Sequence, residues 1–168
     1  VIKDTIVKFV LVANRDNMPI KVVSGEWDTS LTIGKTLIAY EIPTFADTMI
    51  IYGYPMGLLS IKGIGGEIIG IDASNNVSLE GLEYIGTDLS TLNLKNCPSL
   101  RFVGCKENAL KSLNVSGCTS LGELDCSNNE LIKLDVSGLI KLIYLYCENN
   151  ALTSLKINGT DLEKLYCG

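Results

Sequence analysis

At 168 residues, with a net charge of −5, 46% hydrophobic and 20% charged residues, the chain suits one domain or a repeat array with a small added module. The acidic balance, with no lysine or arginine stripe, argues against nucleic acid, whose phosphates call for clustered cations. With no histidine, Ser-His-Asp and Cys-His catalysis, His-liganded zinc and imidazole acid–base chemistry are all excluded.

The first residue is Val1 rather than Met, as expected of a processed or trimmed chain. No apolar run approaches the roughly 18–20 residues of a membrane span, and the longest, residues 9–13, is strand length. Residues 1–57 carry no repeat. Alternating or apolar runs predict strands near 5–13, 19–23, 30–34, 36–41 and 48–53, with the turn signals RDN, SGEWD and GYPMG separating several of them. The expectation is a small β module that caps the open apolar end of a repeat array. SGEWDTS is faintly similar to the WGDG turn of bacterial surface β-sandwich domains, without its second glycine. Trp27 reads as a structural anchor or a binding residue, and Asp16 and Asp28 as solvated turn carboxylates, since nothing near them has the spacing of a calcium loop.

From Leu58 a 21-residue pattern starts again at Leu79, Leu100, Leu121 and Leu142, with a shortened step to a partial copy at Leu162. Inside the copies, Leu82, Val103, Leu124, Leu145 and Leu165 share one register, and Leu92, Leu113, Leu134 and Leu155 another. A period between 20 and 50 residues signals a solenoid, because one copy cannot bury its apolar face alone and a stack can. Asn108, Asn129 and Asn150 come after the first apolar segment, where an amide can donate to and accept from backbone at a bend. Gly117, Gly138 and Gly159 then permit the return turn.

The copies read LxxLxCxxNxLxxLxVxG, which resembles the leucine-rich-repeat family, with short cysteine-containing repeats like those of bacterial surface proteins such as internalins. The first two copies depart from it, with Gly63 and Tyr84 in the cysteine position and Gly66 and Thr87 in the asparagine position. The resemblance implies a mainly β, right-handed leucine-rich-repeat solenoid over 58–168. It would have a parallel sheet on one face and short extended or 3-10 segments on the other. It also implies a secreted or cell-surface, adhesion-type bacterial setting.

Cys105, Cys126, Cys147 and Cys167 share one register and are expected to form an inward column of free thiols acting as small apolar groups. In-register strands hold Cβ atoms about 4.8 Å apart, against roughly 3.5–4.5 Å for a disulfide. A metal would need converging thiolates rather than a line of them, so no cofactor or metal is expected. Cys97 and Cys118 form a second, corner column, the better candidate for a disulfide.

If the leucines and cysteines point inward, the residues between them face out. Along this outer face stand Ser60, Lys62, Gly81, Glu83, Ile85, Phe102, Gly104, Lys106, Glu123, Asp125, Ser127, Tyr144, Tyr146, Glu148, Lys164 and Tyr166. Phe102, Glu123, Asp125, Tyr144, Tyr146, Glu148 and Tyr166 are the candidate ligand-binding residues, because clustered tyrosines offer rigid amphipathic area for a protein surface or a sugar ring. The bland alternative is cross-strand pairing that only stabilises the sheet. Glu123 and Asp125 are paired carboxylates, but an open sheet has no cleft to set two carboxyls across a bond, so no enzyme is expected. The expected function is non-enzymatic recognition of a protein or glycan through the strand face; the alternative is a structural spacer or a fragment of a longer array. The open last copy also raises end-to-end self-association. Sequons stand at Asn76, Asn114 and Asn158, with no use apparent in a bacterial protein.

Overall fold

The computed structural model describes residues 69–168 throughout and, before them, the backbone of six strands. These are β1 (Thr5–Ala13), β2 (Met18–Ser24), β3 (Trp27–Ile33), β4 (Ile38–Thr44), β5 (Thr48–Gly53) and β6 (Leu58–Ile64). Asp16 lies outside the described residues, as do the side chains of Trp27, Asp28, Ser60 and Lys62.

The repeats contribute two sets of short strands. One comes after the leading leucine: β8 (Gly81–Tyr84), β10 (Phe102–Gly104), β12 (Glu123–Asp125), β14 (Tyr144–Tyr146) and β16 (Lys164–Tyr166). The other comes after the asparagine position: β7 (Gly70–Asp72), β9 (Thr91–Asn93), β11 (Ser112–Asn114), β13 (Lys133–Asp135) and β15 (Ser154–Lys156). The first set stacks in parallel as β6-β8-β10-β12-β14-β16, and β1 and then β4 extend this sheet by antiparallel pairing. On the opposite side β5-β7-β9-β11 form a second parallel run, extended antiparallel by β2 and β3, and β13-β15 form a third, separate parallel sheet.

The repeats therefore form a three-sheet β-solenoid, β-helix-like and parallel throughout the repeat region, and this corrects the expected leucine-rich-repeat architecture. That fold needs one curved sheet backed by irregular or 3-10 segments, yet no helical or 3-10 residue occurs among the described residues. The physical reason lies in the second segment of each copy. Lys133-Leu134-Asp135 alternates polar, apolar, polar, and its partner Ser154-Leu155-Lys156 lies at the same 21-residue offset, so each pair of residues meets in register. Strands on both sides leave no longer outer face to bend the stack into a horseshoe. The internalin-like, adhesion and bacterial-surface inferences attached to the resemblance fall with it.

The core is a set of columns one residue wide. Leu82, Val103, Leu124 and Leu145 fill one, Leu89, Leu110 and Leu131 another, and Leu94, Val115 and Val136 a third, all buried. Tyr84, which takes the cysteine position in its copy, is the largest fully buried side chain among the described residues, and burial pushes its phenol above its ordinary pKa.

Both corners of each coil turn through the left-handed backbone region. One column holds Gly86, Glu107, Asn128 and Asn149, and the other Asn75, Asn96, Gly117, Gly138 and Gly159. Asparagine tolerates this conformation because its short amide bonds locally. The amides also pair from coil to coil, Asn96 Nδ2 donating to Asn75 Oδ1 at 3.1 Å and Asn149 Nδ2 to Asn128 Oδ1 at 3.0 Å. Behind the first corner, Asn108, Asn129 and Asn150 bridge successive coils. Asn150 Nδ2 donates to the carbonyls of Cys126, Cys147 and Glu148, and its Oδ1 accepts from Leu131 N at 3.0 Å.

Candidate functional site

The solvent side of the first sheet is built from two rows, one for each outward position of its three-residue strands. Pairing aligns Gly81, Phe102, Glu123, Tyr144 and Lys164 in the first row, and Glu83, Gly104, Asp125, Tyr146 and Tyr166 in the second. The central residues Val103, Leu124 and Leu145 point into the core at 0% exposure, which forces their neighbours outward.

At the C-terminal end the aromatic rings make direct contacts. Tyr146 and Tyr166 stack face to face, with centroids 5.1 Å apart and planes 6° from parallel. In the other row Lys164 Nζ lies 5.4 Å from the centroid of the Tyr144 ring, within cation–π range. Phe102 belongs to the same row as Tyr144 but is separated from it by Glu123. Its ring folds over the bare backbone of Gly104: a Cβ added there would stand 2.9 Å from Phe102 Cζ. A side chain at that point would push the ring aside.

The carboxylates differ in their surroundings. Asp125 Oδ1 accepts from the Ser127 hydroxyl at 2.6 Å and from Ser127 N at 3.2 Å. Ser127, expected on the outer face, is instead buried at 4% exposure beneath this turn. Glu148 stands past the end of β14, and its Oε2 is buried without a hydrogen-bond partner rather than presented to solvent. Lys164 belongs to the aromatic cluster although it is not among the residues expected to bind a ligand; its place opposite Tyr144 in the repeat register is the signal that points to it.

The chain matches no family model, no curated protein and no solved structure. Its functional reading rests on the geometry of the site.

The cysteines take no part in it. Cys105, Cys126 and Cys147 are free and buried, whereas Cys167 is free and exposed, which corrects the expected inward column of four. Burial, with a smaller contribution from the Asp125 charge, raises the Cys105 thiol well above its ordinary pKa, and burial raises Cys126 likewise. Cys147 is pushed up to about 11, by burial first and then by its neighbours Cys167 and Glu148. Such thiols stay protonated and inert near neutral pH.

Cys97 and Cys118, the better disulfide candidates, are also free and buried. Each Sγ donates to a backbone carbonyl of the preceding coil, Cys97 to Ala73 O at 3.3 Å and Cys118 to Leu94 O at 3.1 Å. Hydrogen bonding with Cys118, then burial, holds the Cys97 thiol above its ordinary pKa. Among the described residues no cluster of His, Cys, Asp or Glu could hold a metal ion, and no helix is long and apolar enough to cross a membrane.

Proposed function

We propose that the chain is a non-enzymatic recognition module that binds a protein or a glycan through the outer face of its first sheet. The observation that carries this reading is the ring cluster at the C-terminal end, where the Tyr146–Tyr166 stack lies beside Tyr144 and Lys164. Two stacked rings offer a rigid apolar surface with hydroxyls for hydrogen bonds, and Lys164 adds a donor beside it. Asp125 and Glu123 supply acceptors on the adjacent strand. A sugar ring or a protein side chain suits such a surface, and neither partner requires chemistry from it. Glu123 and Asp125 project from one three-residue strand of an open sheet, an arrangement without the facing walls that carboxylate-pair hydrolysis uses.

The test is a binding screen of wild type and Tyr144→Ala/Tyr146→Ala against glycan and protein arrays. Binding by the wild type that is lost in the variant supports the reading; equal binding by both removes the tyrosine face from it.

A further inference from the structure

Beside the strand face, where each coil turns into the first sheet, lies a groove of about 530 Å³. Gly122 gives it its shape. The residues that immediately precede the strands form a column, Glu80, Arg101, Gly122, Ile143 and Glu163. Backbone bonds tie it from coil to coil: Gly122 N donates to Arg101 O, and Ile143 N to Gly122 O, both at 2.9 Å. Only Gly122 lacks a side chain, so the column has a notch, with Arg101 on one wall and Ile143 on the other.

Two properties set this groove apart from an ordinary surface depression. Its apolar wall is exposed: Ile140 is 61% accessible at a corner where the neighbouring coils carry Thr119 and Thr160. Its charge is also uncompensated at one end. The ion pairs among the described residues are Lys111–Glu130 and Lys156–Asp135, so Arg101 lines the groove without a carboxylate partner, although Glu80 stands next to it in the column. At the far end Lys141 and Asp161, on successive coils, also line the groove. Arg101 thus lines the groove beside the side-chain-free Gly122 and two isoleucines.

We propose that this groove binds an aliphatic monocarboxylate. The planar guanidinium fork of Arg101 takes the carboxylate through two parallel N–H···O bonds, and the hydrocarbon chain crosses Gly122 against Ile143 and Ile140. A monoanion fits better than a dianion, because Asp161 also lines the groove and the whole chain carries a charge of −5. The volume falls in the range of small-molecule sites, roughly 300–1,000 Å³.

Decanoate, titrated below its micellar range and followed by amide chemical shifts, tests the proposal against decanol and decyltrimethylammonium, which share its chain and differ in the head group. Decanoate is expected to give saturable shifts at residues 101, 122 and 143, and the two other probes none. Arg101→Gln should weaken decanoate by roughly tenfold, the loss of one charge-assisted contact. Gly122→Val should abolish binding by filling the notch. A Cβ at that position meets the carbonyl oxygens of Arg101 and Lys141 at 3.7 Å, an ordinary contact. Circular dichroism and the thermal midpoint would verify that the variant folds. Tyr146→Ala should leave decanoate binding unchanged, which separates this site from the strand face. No saturable response from the wild type, decanol binding as tightly as decanoate, or binding that survives both groove substitutions would overturn the proposal.

Discussion

Asn129 donates from Nδ2 to the carbonyl of Cys105 at 3.0 Å, reaching back a full coil, while its Oδ1 accepts from Leu110 N at 2.9 Å. The same Nδ2 also faces the carbonyls of Cys126 and Ser127 in its own coil, at 3.0 and 3.1 Å. One buried amide thus satisfies backbone groups on two successive coils at a corner where strand pairing has ended.

Removing that amide should be costly. Asn129→Ala leaves a buried N–H and several carbonyls without their partner, and should destabilise the fold by about 2–4 kcal/mol in urea denaturation. Asn129→Asp should be similarly harmful, because a carboxylate cannot donate to those carbonyls. A loss below about 0.5 kcal/mol, on the order of an ordinary surface substitution, would show that the corner does not depend on the amide.

Glu107 presents the opposite case. It holds φ at 56° in a column whose other members are Gly86, Asn128 and Asn149. A left-handed conformation costs a side chain of this kind about 1 kcal/mol, and asparagine less. Glu107→Asn should therefore stabilise the protein by roughly 0.5–1 kcal/mol, and it would extend the Asn128–Asn149 amide pairing by one coil. An unchanged or lower urea midpoint would contradict this account.

The buried thiols set an alkaline limit on stability. Cys147 shows the sign most directly, its folded pKa pushed from the ordinary 9.0 up to about 11. Between those two values the unfolded chain has released the proton and the folded chain retains it, so stability is complete below pH 9 and falls as pH rises towards 11. Denaturation midpoints measured from about pH 7 to about pH 11 should be flat and then decline, and Cys147→Ala should shallow the decline. In the native state near neutral pH, a thiol reagent should titrate Cys167 rapidly and the five buried thiols only on unfolding.

Much of the interior is legible in the sequence. The columns through Leu124, Leu134 and Cys126 result from a strict 21-residue period, because stacking equal copies must align equal positions. The corner roles of Asn129 and Gly138 are legible for the same reason: few side chains suit an orphaned backbone or a positive φ. The architecture is not legible. Leucine spacing reports which side chains point inward, and it is the same whether the far segment is irregular or paired. Whether Leu134 and Leu155 sit in strands depends on how closely successive coils approach on that side. The groove escapes a reading of the sequence because Gly122 has no side chain to draw attention, and its role comes from Arg101 and Ile143 one coil to either side. The contact between Lys164 and Tyr144 likewise needs the register of β14 against β16.

The sequence by itself determined the coil length, the inward columns and the turn chemistry, because these depend on side-chain type repeated at a fixed interval. Tertiary structure decided that both sides of each coil pair as parallel strands and that a notch exists at Gly122. Those outcomes depend on what lies one coil away, and a residue's neighbour in the stack is 21 positions distant along the chain.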